Sequence, residues 1–440
     1  MRGKKLGRIS VFVLSLILTM TMIPSMALAY NSDVSNVNQL SQSDQINFRQ
    51  NRLAATRAGN SSYGYYATGS DYLTTEGSYK YLYPITVANN EVLQAQVDMP
   101  NSSAINYDVY LYEVAANGDM TQVDYSVFST YINGAAGTAP EAVGVYNTSG
   151  ASKQYALFVK SRVGSSSTLP FTIHIGINAN TEAAEADENA IHASKISLTD
   201  DCYAKVINTR AMNTACDNDW FYFDVNSTRN FDTIALSLDS TAIAAGFNLD
   251  VYTVVNTGLQ EVPLVNGKLQ NLSVARYFVR VSSVGCSAFD PSNYTLTIAP
   301  NYYADAIEIS TVGDGDTAAY DGHTYSRVNG NSTVTVTGIA RANGVNLPNT
   351  EVTIVIANPS WTADSQHFRR ATVTTDSYGR FTAYIAIENA VGDNSTLVGS
   401  ATKFRHYWDY GYVYGVDKDG YRITANVEKI YIFAYSTYVG

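Results

Sequence analysis

The sequence predicts an all-β protein built from tandem β-sandwich domains. Short runs rich in β-branched and aromatic residues recur along the chain, and Gly, Asn or Pro separates them. One arrangement of strands and turns occurs twice. The composition, with 34 tyrosines and only 15% charged residues, is typical of secreted β-proteins.

Residues 1–29 have the features of a secretory signal peptide. Four basic residues lie within the first eight, residues 9–26 are mostly apolar, and Ala27-Leu28-Ala29 has the small-x-small form of a cleavage site. The alternative, an uncleaved membrane anchor, is disfavoured because Thr and Pro interrupt the apolar run. We expect a secreted or surface-associated protein that begins at Tyr30, has no transmembrane anchor and carries a disordered leader over residues 30–60.

The charge balance is acidic. The net charge is −11, and removal of the four basic residues of the signal peptide would take it to about −15. A surface of this charge repels phosphate backbones, so we expect no nucleic-acid partner. It is compatible with binding of cations.

The repeated arrangement defines the first two predicted domains, residues 61–177 and residues 178–300. In both copies a strand with the pattern NxDVY is followed by an Asn-Gly turn, a strong hairpin signal. The predicted strands of the second copy cover residues 217–225, 248–252, 276–281 and 294–298. Those of the first copy cover residues 79–87, 106–110, 154–159 and 171–175.

A third domain is predicted over residues 301–440. Residues 332–340 alternate strictly between polar and apolar positions, and further strands are expected over residues 349–356, 371–387, 408–414 and 421–435. Strands at short, regular spacing indicate a sandwich. Between the first two domains, residues 178–194 combine good helix formers with a dense acidic run, which predicts a short acidic linker or helix.

The second domain resembles the bacterial pre-peptidase C-terminal domain, a small jelly-roll-like sandwich. The resemblance rests on an acidic opening, ExDEN at residues 185–189, and on DxDWFYF, NLDVY, YFVRV and YTLTI further along. It covers residues 185–298 and, more weakly, residues 61–177, where the acidic opening is missing. The third domain resembles bacterial immunoglobulin-like modules through its TDxxGxF hairpin at residues 375–381.

These resemblances imply binding or stabilising appendages. Members of the pre-peptidase family grip collagen or polysaccharide, and some bind calcium at the linker that enters the sandwich. Calcium prefers six to eight oxygen ligands, including clustered carboxylates. If the linker folds back over the first strand of the second domain, five carboxylates converge there; the alternative is a solvated acidic linker. The candidate ligands are Glu185, Asp187, Glu188, Asp217 and Asp219.

Catalytic motifs are not evident. The five histidines form no HExxH pair, there is no GxSxG elbow, and the peptidase that usually precedes such domains has no counterpart in this sequence. His174 alternates with apolar residues of a predicted strand, so we expect it on the solvated face. We therefore predict that the protein is not an enzyme, while a hydrolase with an unrecognised site stays an alternative.

Three cysteines, Cys202, Cys216 and Cys286, lie in the second domain. Export permits a disulfide, and the candidate pair Cys202 and Cys216 would close a short loop worth roughly 3 kcal/mol in the chain-entropy model. The sequence leaves all three pairings open. The remaining cysteine is expected to be a buried thiol or an intermolecular link.

Trp408, Tyr410, Tyr412 and Tyr414 occupy alternate positions, so an extended strand places them on one face. Such a row can stack on sugar rings or grip a protein strand. It can also be a core face, and the small glycines at the alternate positions favour that interpretation. The leading hypothesis is non-catalytic binding of an extracellular polysaccharide, cell-wall protein or fibrous protein. The alternative is a self-assembling structural subunit of a surface layer or fibre.

Overall fold

The computed structural model describes most of the chain. It covers residues 35–46, 56–57, 65–102, 104–127, 129–132, 135–136, 140–181, 187–198, 202–226, 231–255, 258–320, 323–358, 368–388, 394–397, 404–424 and 428–438. For several strand residues, 404–410 among them, only the backbone is described. The predicted signal peptide lies outside the described residues. Within these ranges, no helix is long and apolar enough to cross a membrane.

The chain is all-β and forms successive β-sandwiches, as predicted. Two antiparallel sheets, in the orders β3-β10-β5-β6 and β2-β11-β4-β9, enclose the core of the first sandwich. The strands of this part of the chain are β1 (Thr56–Arg57), β2 (Tyr65–Asp71), β3 (Tyr79–Val87), β4 (Glu91–Asp98), β5 (Asn106–Val114), β6 (Met120–Ser126), β7 (Ser129–Ile132), β8 (Ala135–Ala136), β9 (Glu141–Tyr146), β10 (Lys153–Val163) and β11 (Phe171–Ala179). The short strands β1, β7 and β8 pair outside these two sheets.

The second sandwich repeats this topology. Its strands are β12 (Ser194–Lys195), β13 (Lys205–Met212), β14 (Asn218–Val225), β15 (Phe231–Leu238), β16 (Phe247–Val255), β17 (Gly258–Glu261), β18 (Lys268–Leu269), β19 (Ala275–Ser283) and β20 (Ala288–Tyr302), with a short helix α1 (Ser240–Ala244) that the Asp239 side chain caps. The orders β14-β19-β16-β17 and β13-β20-β15-β18 match the two sheets of the first sandwich strand for strand. The duplicated module is thus evident in the pairing as well as in the sequence.

The third sandwich contains β21 (Ala306–Val312), β22 (Thr317–Tyr320), β23 (His323–Asn329), β24 (Thr333–Ala342), β25 (Val345–Asn346), β26 (Glu351–Ala357), β27 (Phe368–Thr374), β28 (Arg380–Ala386), β29 (Asn394–Leu397), β30 (Phe404–Val416) and β31 (Glu428–Tyr438). One sheet has the order β21-β24-β25, and β28 also pairs with β24. The other has the order β22-β23-β31-β30-β26-β27, and β29 also pairs with β30. Its core is continuous with that of the second sandwich.

The leader is partly ordered, which corrects the prediction of a disordered segment over residues 30–60. Short 3-10 turns at Val37–Gln39 and Gln42–Asp44 pack on the first sandwich, and Ile46 is buried in its core. Farther along, β1 pairs in parallel with β20 of the second sandwich. Polar composition concealed these contacts because Asn and Ser side chains here cap turns, as Asn36 and Ser41 do.

The first sandwich also contributes a hairpin to a sheet of the second. The β7–β8 hairpin leaves the first sandwich and pairs in parallel with β17, so that it extends a sheet of the second. The described part of the linker, residues 187–195, forms a turn in which the His192 amide donates to the Asn189 carbonyl. It then becomes extended, and Ser194–Lys195 pairs in parallel with Phe221 and Tyr222 of β14. The two sandwiches therefore share a broad contact, which we call the junction.

Candidate functional site

The junction covers the outer face of one sheet of the first sandwich. Along β4 the side chains of Leu93, Ala95 and Val97 enter the core, so Gln94 and Gln96 lie on the opposite face. Both glutamines are nevertheless buried, because the acidic linker lies over Gln94 and Arg280 of β19 lies over Gln96. The polar alternation of this strand reflects an interface between domains.

Two glycines allow the close approach. A Cβ atom on Gly144 of β9 would lie 2.4 Å from the Cγ of Glu188, and one on Gly176 of β11 would lie 2.4 Å from the Cβ and Oγ1 of Thr214. Real side chains do not make such contacts. The linker and the segment before β14 therefore press directly on the backbone of the first sandwich.

Arg280 of β19 links the two sandwiches. Its Nε donates to Asn218 Oδ1 at 2.7 Å, and its Nη2 donates to Gln96 Oε1 of the first sandwich at 3.0 Å. Its Nη1 lies 4.0 Å from Asp250, the aspartate of the NxDVY pattern. In the first copy, the equivalent Asp108 faces Lys160 in register. Each copy thus places a basic residue opposite this aspartate on the neighbouring strand.

The predicted calcium ligands are buried at the junction. The linker returns over the start of β14, where the Trp220 amide donates to the Asp187 carbonyl. Asp187, Glu188, Asp217 and Asp219 are each less than 5% exposed. The prediction of a solvated acidic linker is therefore wrong for residues 187–189. Glu185 lies outside the described residues.

Protein donors occupy most of these carboxylates. Asp187 forms an ion pair with Arg210 at 2.7 Å, and Glu188 accepts a hydrogen bond from Gln94 at 2.8 Å. Asp217 accepts from the Asn213 amide and so holds the loop before β14. Across the described ranges, no group of three or more His, Cys, Asp and Glu side chains is arranged to hold a metal ion. The positive charge that neutralises Asp187 is the guanidinium of Arg210.

Asp219 differs from its neighbours. Its Oδ2 accepts a hydrogen bond from the Tyr294 hydroxyl at 2.7 Å, while its buried Oδ1 has no hydrogen-bond partner. Burial raises the pKa of Asp219 far above its ordinary value, and the nearby carboxylates of Asp217 and Asp187 raise it further. This oxygen is the feature of the junction that fits an additional cation or a proton.

His174 is part of the same junction, which corrects the prediction that it lies on a solvated face. Its side chain is 12% exposed and its Nε2 lies 2.9 Å from Asp98 Oδ2. Burial lowers the pKa of His174, but the hydrogen bond to Asp98 and the charges of Cys286 and Asp98 together outweigh it, so the pKa is raised. The strand alternates as expected; a second domain covers its polar side.

The junction encloses a small cavity lined by Trp220, Tyr252, Glu141, Glu188 and Arg280. Its volume of about 20 Å³ is room for about one water molecule. A sugar ring or a peptide segment does not fit there. A ligand of that size would have to bind on the outer surface of the molecule.

The aromatic row of β30 lies at such a surface, where its described side chains face outward. Val413 is fully buried, whereas Tyr412 is 36% exposed and Tyr414 is partly exposed. The interpretation of this row as a core face is therefore wrong for these two tyrosines. Side chains of Trp408 and Tyr410 lie outside the described part of the molecule.

The glycines of β30 explain why Tyr412 and Tyr414 face outward. Gly411 and Gly415 are buried, and a Cβ on Gly415 would lie 2.3 Å from Ile307 Cδ1. One on Gly411 would lie 3.0 Å from Ile430 and Ile432. Large side chains from other strands fill the space beneath β30, so small residues are needed inside and the rings lie outside.

Neighbouring strands extend this surface. In register, Tyr412 lies between Lys429 of β31 and Ala357 of β26, and Tyr414 lies beside Val355. The backbone register also pairs Trp408 with Phe433 and Tyr410 with Tyr431. We call the outer side of this sheet around Tyr412 and Tyr414 the ring face.

The contacts of the three cysteines differ from the predicted pairing of Cys202 with Cys216. The thiol of Cys202 donates to the Ala342 carbonyl of the third sandwich at 3.6 Å. Cys216 and Cys286 instead interact with each other, since Cys286 raises the pKa of Cys216 and Cys216 lowers the pKa of Cys286. No disulfide joins Cys202 to Cys216 in the structure, so that pairing stays a prediction.

Comparison with known proteins identifies no family. No family model and no curated protein matches the sequence. A DUF4785 family protein from Legionella pneumophila aligns over 87% of this chain and 98% of its own, with 8% identity and a TM-score of 0.15. The tandem CBM22 domains of Paenibacillus barcinonensis Xyn10C align over 60% of this chain and 88% of theirs, with 12% identity and a TM-score of 0.15.

A glycosyl hydrolase family 2 member from Bacteroides cellulosilyticus aligns over 51% of this chain, with 12% identity and a TM-score of 0.14. The chain spans 28% of that protein's length. Likeness at this level carries no argument about activity or ligand. The function must be argued from the molecule's own surfaces.

Proposed function

We propose that the protein is a secreted, non-catalytic binder of an extracellular polysaccharide, and that the ring face is its binding surface. The observation that supports the proposal is the outward orientation of Tyr412 and Tyr414 over the buried Val413. Flat rings on an open sheet stack on the apolar faces of sugar rings, and their hydroxyl groups reach the sugar hydroxyls. A polymer can cross such a surface without entering a pocket.

The structural role proposed for the junction is to present this face. The first two sandwiches are joined by buried hydrogen bonds, from Gln94 to Glu188 and from Arg280 to Gln96, and by the β7–β8 hairpin; the second shares its core with the third. Relative motion between domains is the default when interfaces are small and wet. These interfaces are extensive and buried, so the three sandwiches act as a stiff support.

Retention on insoluble polymers tests the proposal. The purified chain without residues 1–29 is mixed with cellulose, chitin, xylan or cell-wall glycan, and bound protein is measured after washing. We expect retention on at least one glycan, and its loss in the Tyr412→Ala/Tyr414→Ala and Trp408→Ala/Tyr410→Ala variants.

Tyr384→Ala is the matched control. Tyr384 is 66% exposed on β28 of the other sheet of the same sandwich, so this change removes an exposed ring without touching the ring face. Equal loss of retention in the control, or retention on collagen fibrils alone, would contradict a glycan-binding ring face. Concentration-dependent fibres without glycan retention would favour the structural subunit.

A second proposal concerns calcium, which the family resemblance implies. We propose that a calcium ion binds at Asp219 together with Asp187, Asp217 and the linker carboxylates. The buried Asp219 Oδ1 without a partner supports it, while the Asp187–Arg210 ion pair opposes it because one carboxylate is already neutralised. The ion would neutralise crowded carboxylates and fix the linker.

Thermal unfolding with and without a chelator decides the calcium proposal. A bound ion should raise the Tm in millimolar calcium, and Asp219→Asn should remove that shift. Identical unfolding curves in calcium and in chelator would eliminate the ion and leave Arg210 as the cation of the junction.

A further inference from the structure

We propose that Cys216 and Cys286 form a disulfide bond in the exported protein, and that Cys202 stays a thiol. The strand register brings the two cysteines to the same end of one strand pair. Asn218 pairs with Ser282 in the antiparallel β14–β19 ladder, so continuing the ladder brings Cys216 opposite Val284. Cys286 lies two residues further, in the 3-10 turn Val284–Cys286 that follows β19.

A tight turn holds Cys286 directly after β19. Gly285 and Cys286 both have positive φ, at 60° and 49°, which is an uncommon conformation for a residue with a Cβ. The Ser283 hydroxyl accepts hydrogen bonds from the amides of Ser287 and Ala288 and so holds the turn. Cys216 and Cys286 are both buried in one core cluster, and each influences the pKa of the other, as adjacent side chains do.

Cys202 has different surroundings. Its thiol donates to the Ala342 carbonyl at the start of the β24–β25 turn. The neighbouring Tyr203 hydroxyl donates to the Ser377 carbonyl of the same sandwich. These contacts hold the Cys202 segment against the third sandwich, away from the cross-link at the end of β19.

The bond requires an external disulfide as oxidant, either a small disulfide such as oxidised glutathione or a dithiol–disulfide oxidoreductase of the export compartment. During folding, before the two cysteines are buried, the Cys286 thiolate attacks the oxidant, forms a mixed disulfide and releases one reduced thiol. The Cys216 thiolate then attacks the Cys286 sulfur and releases the second. Two cysteine thiols are oxidised and one disulfide is reduced to two thiols, which take up the two protons.

Neighbouring groups favour the thiolate form of Cys286, which is the nucleophile of the first step. The hydrogen bond from Cys216, the charge of His174 and that of Arg280 lower the pKa of Cys286, although burial opposes them. The positive groups belong to the junction, so the cross-link lies beside the contact between the first two sandwiches. It closes a long loop and ties the start of β14 to the end of β19.

Thiol counting and peptide mapping test the proposal on the unmodified chain. After refolding with oxidised glutathione and alkylation in denaturant, we expect one alkylated thiol, Cys202, and a linked peptide pair containing Cys216 and Cys286. Three alkylated thiols, or a linkage that includes Cys202, would overturn it.

Variants extend the test to stability. Reduction should lower the Tm of the oxidised protein by about 10 °C, because the closed loop is long. Cys202→Ser should keep that shift, whereas the Cys216→Ser/Cys286→Ser variant should lose it. A reductant-induced shift that disappears in Cys202→Ser and persists in the double variant would contradict the assignment.

Discussion

The junction and the ring face both depart from the usual distribution of residues, because the junction buries charged side chains and the ring face exposes aromatic ones. At the junction, charged side chains such as Asp187 and Arg210 are buried; at the ring face, Tyr412 and Tyr414 are exposed. Buried charges and exposed aromatic clusters are the informative departures from the rule that apolar residues lie inside. The difference separates a surface that holds the molecule together from one that we propose for contact with a ligand.

The largest effect should come from breaking a buried ion pair at the junction. Arg210→Met leaves Asp187 buried beside Asp219 without its cation, which typically costs about 3–5 kcal/mol. Urea unfolding measures the loss. In the control Arg341→Met, the partner Glu308 is mostly exposed, so we expect at most about 1 kcal/mol. Similar losses in both variants would remove the distinction between the junction and the surface.

A smaller effect should come from pH. Burial raises the pKa of Asp108 and of Asp124 to about 6, and the pKa of His174 is also raised. For all three groups the folded state binds protons more tightly than the unfolded state. Their contribution to stability is therefore greatest at low pH and is lost as the pH rises through their folded pKa values.

We thus expect the free energy of unfolding to fall between about pH 4 and pH 7. Asp98 acts oppositely: its pKa is lowered by His174, so its contribution is lost only as the pH drops below about 4. Asp108→Asn should flatten the profile and stabilise the protein at pH 8 by on the order of 2 kcal/mol. A stability that rises from pH 4 to pH 7 would contradict the assignment.

The sequence predicted the strands well but not what covers them. Alternation along β11 and β30 correctly separates two faces, yet it does not say which is inside. For β30 the answer depends on Ile307, which lies about a hundred residues away in the sequence and fills the space at Gly415. For β11 it depends on the junction, which buries His174 on the side expected to be wet.

The acidic opening shows the same limit. The clustered carboxylates suggested that the linker folds back over β14 to bind calcium, but the cation that meets Asp187 is Arg210, a residue with no distinguishing local pattern. Likewise, spacing favoured the nearest cysteines, whereas the fold places Cys216 and the more distant Cys286 at the same end of the β14–β19 strand pair. Interactions between distant parts of the chain decide both points.

The measurement that tests the central claim most directly combines stability and retention in one variant. Tyr412→Ala/Tyr414→Ala should unfold within about 1 kcal/mol of the unaltered chain, since exposed surface changes are usually small, and should lose retention on the bound glycan. A loss of several kcal/mol would show that the tyrosines belong to the core. Undiminished retention would show that the ring face is not the binding surface.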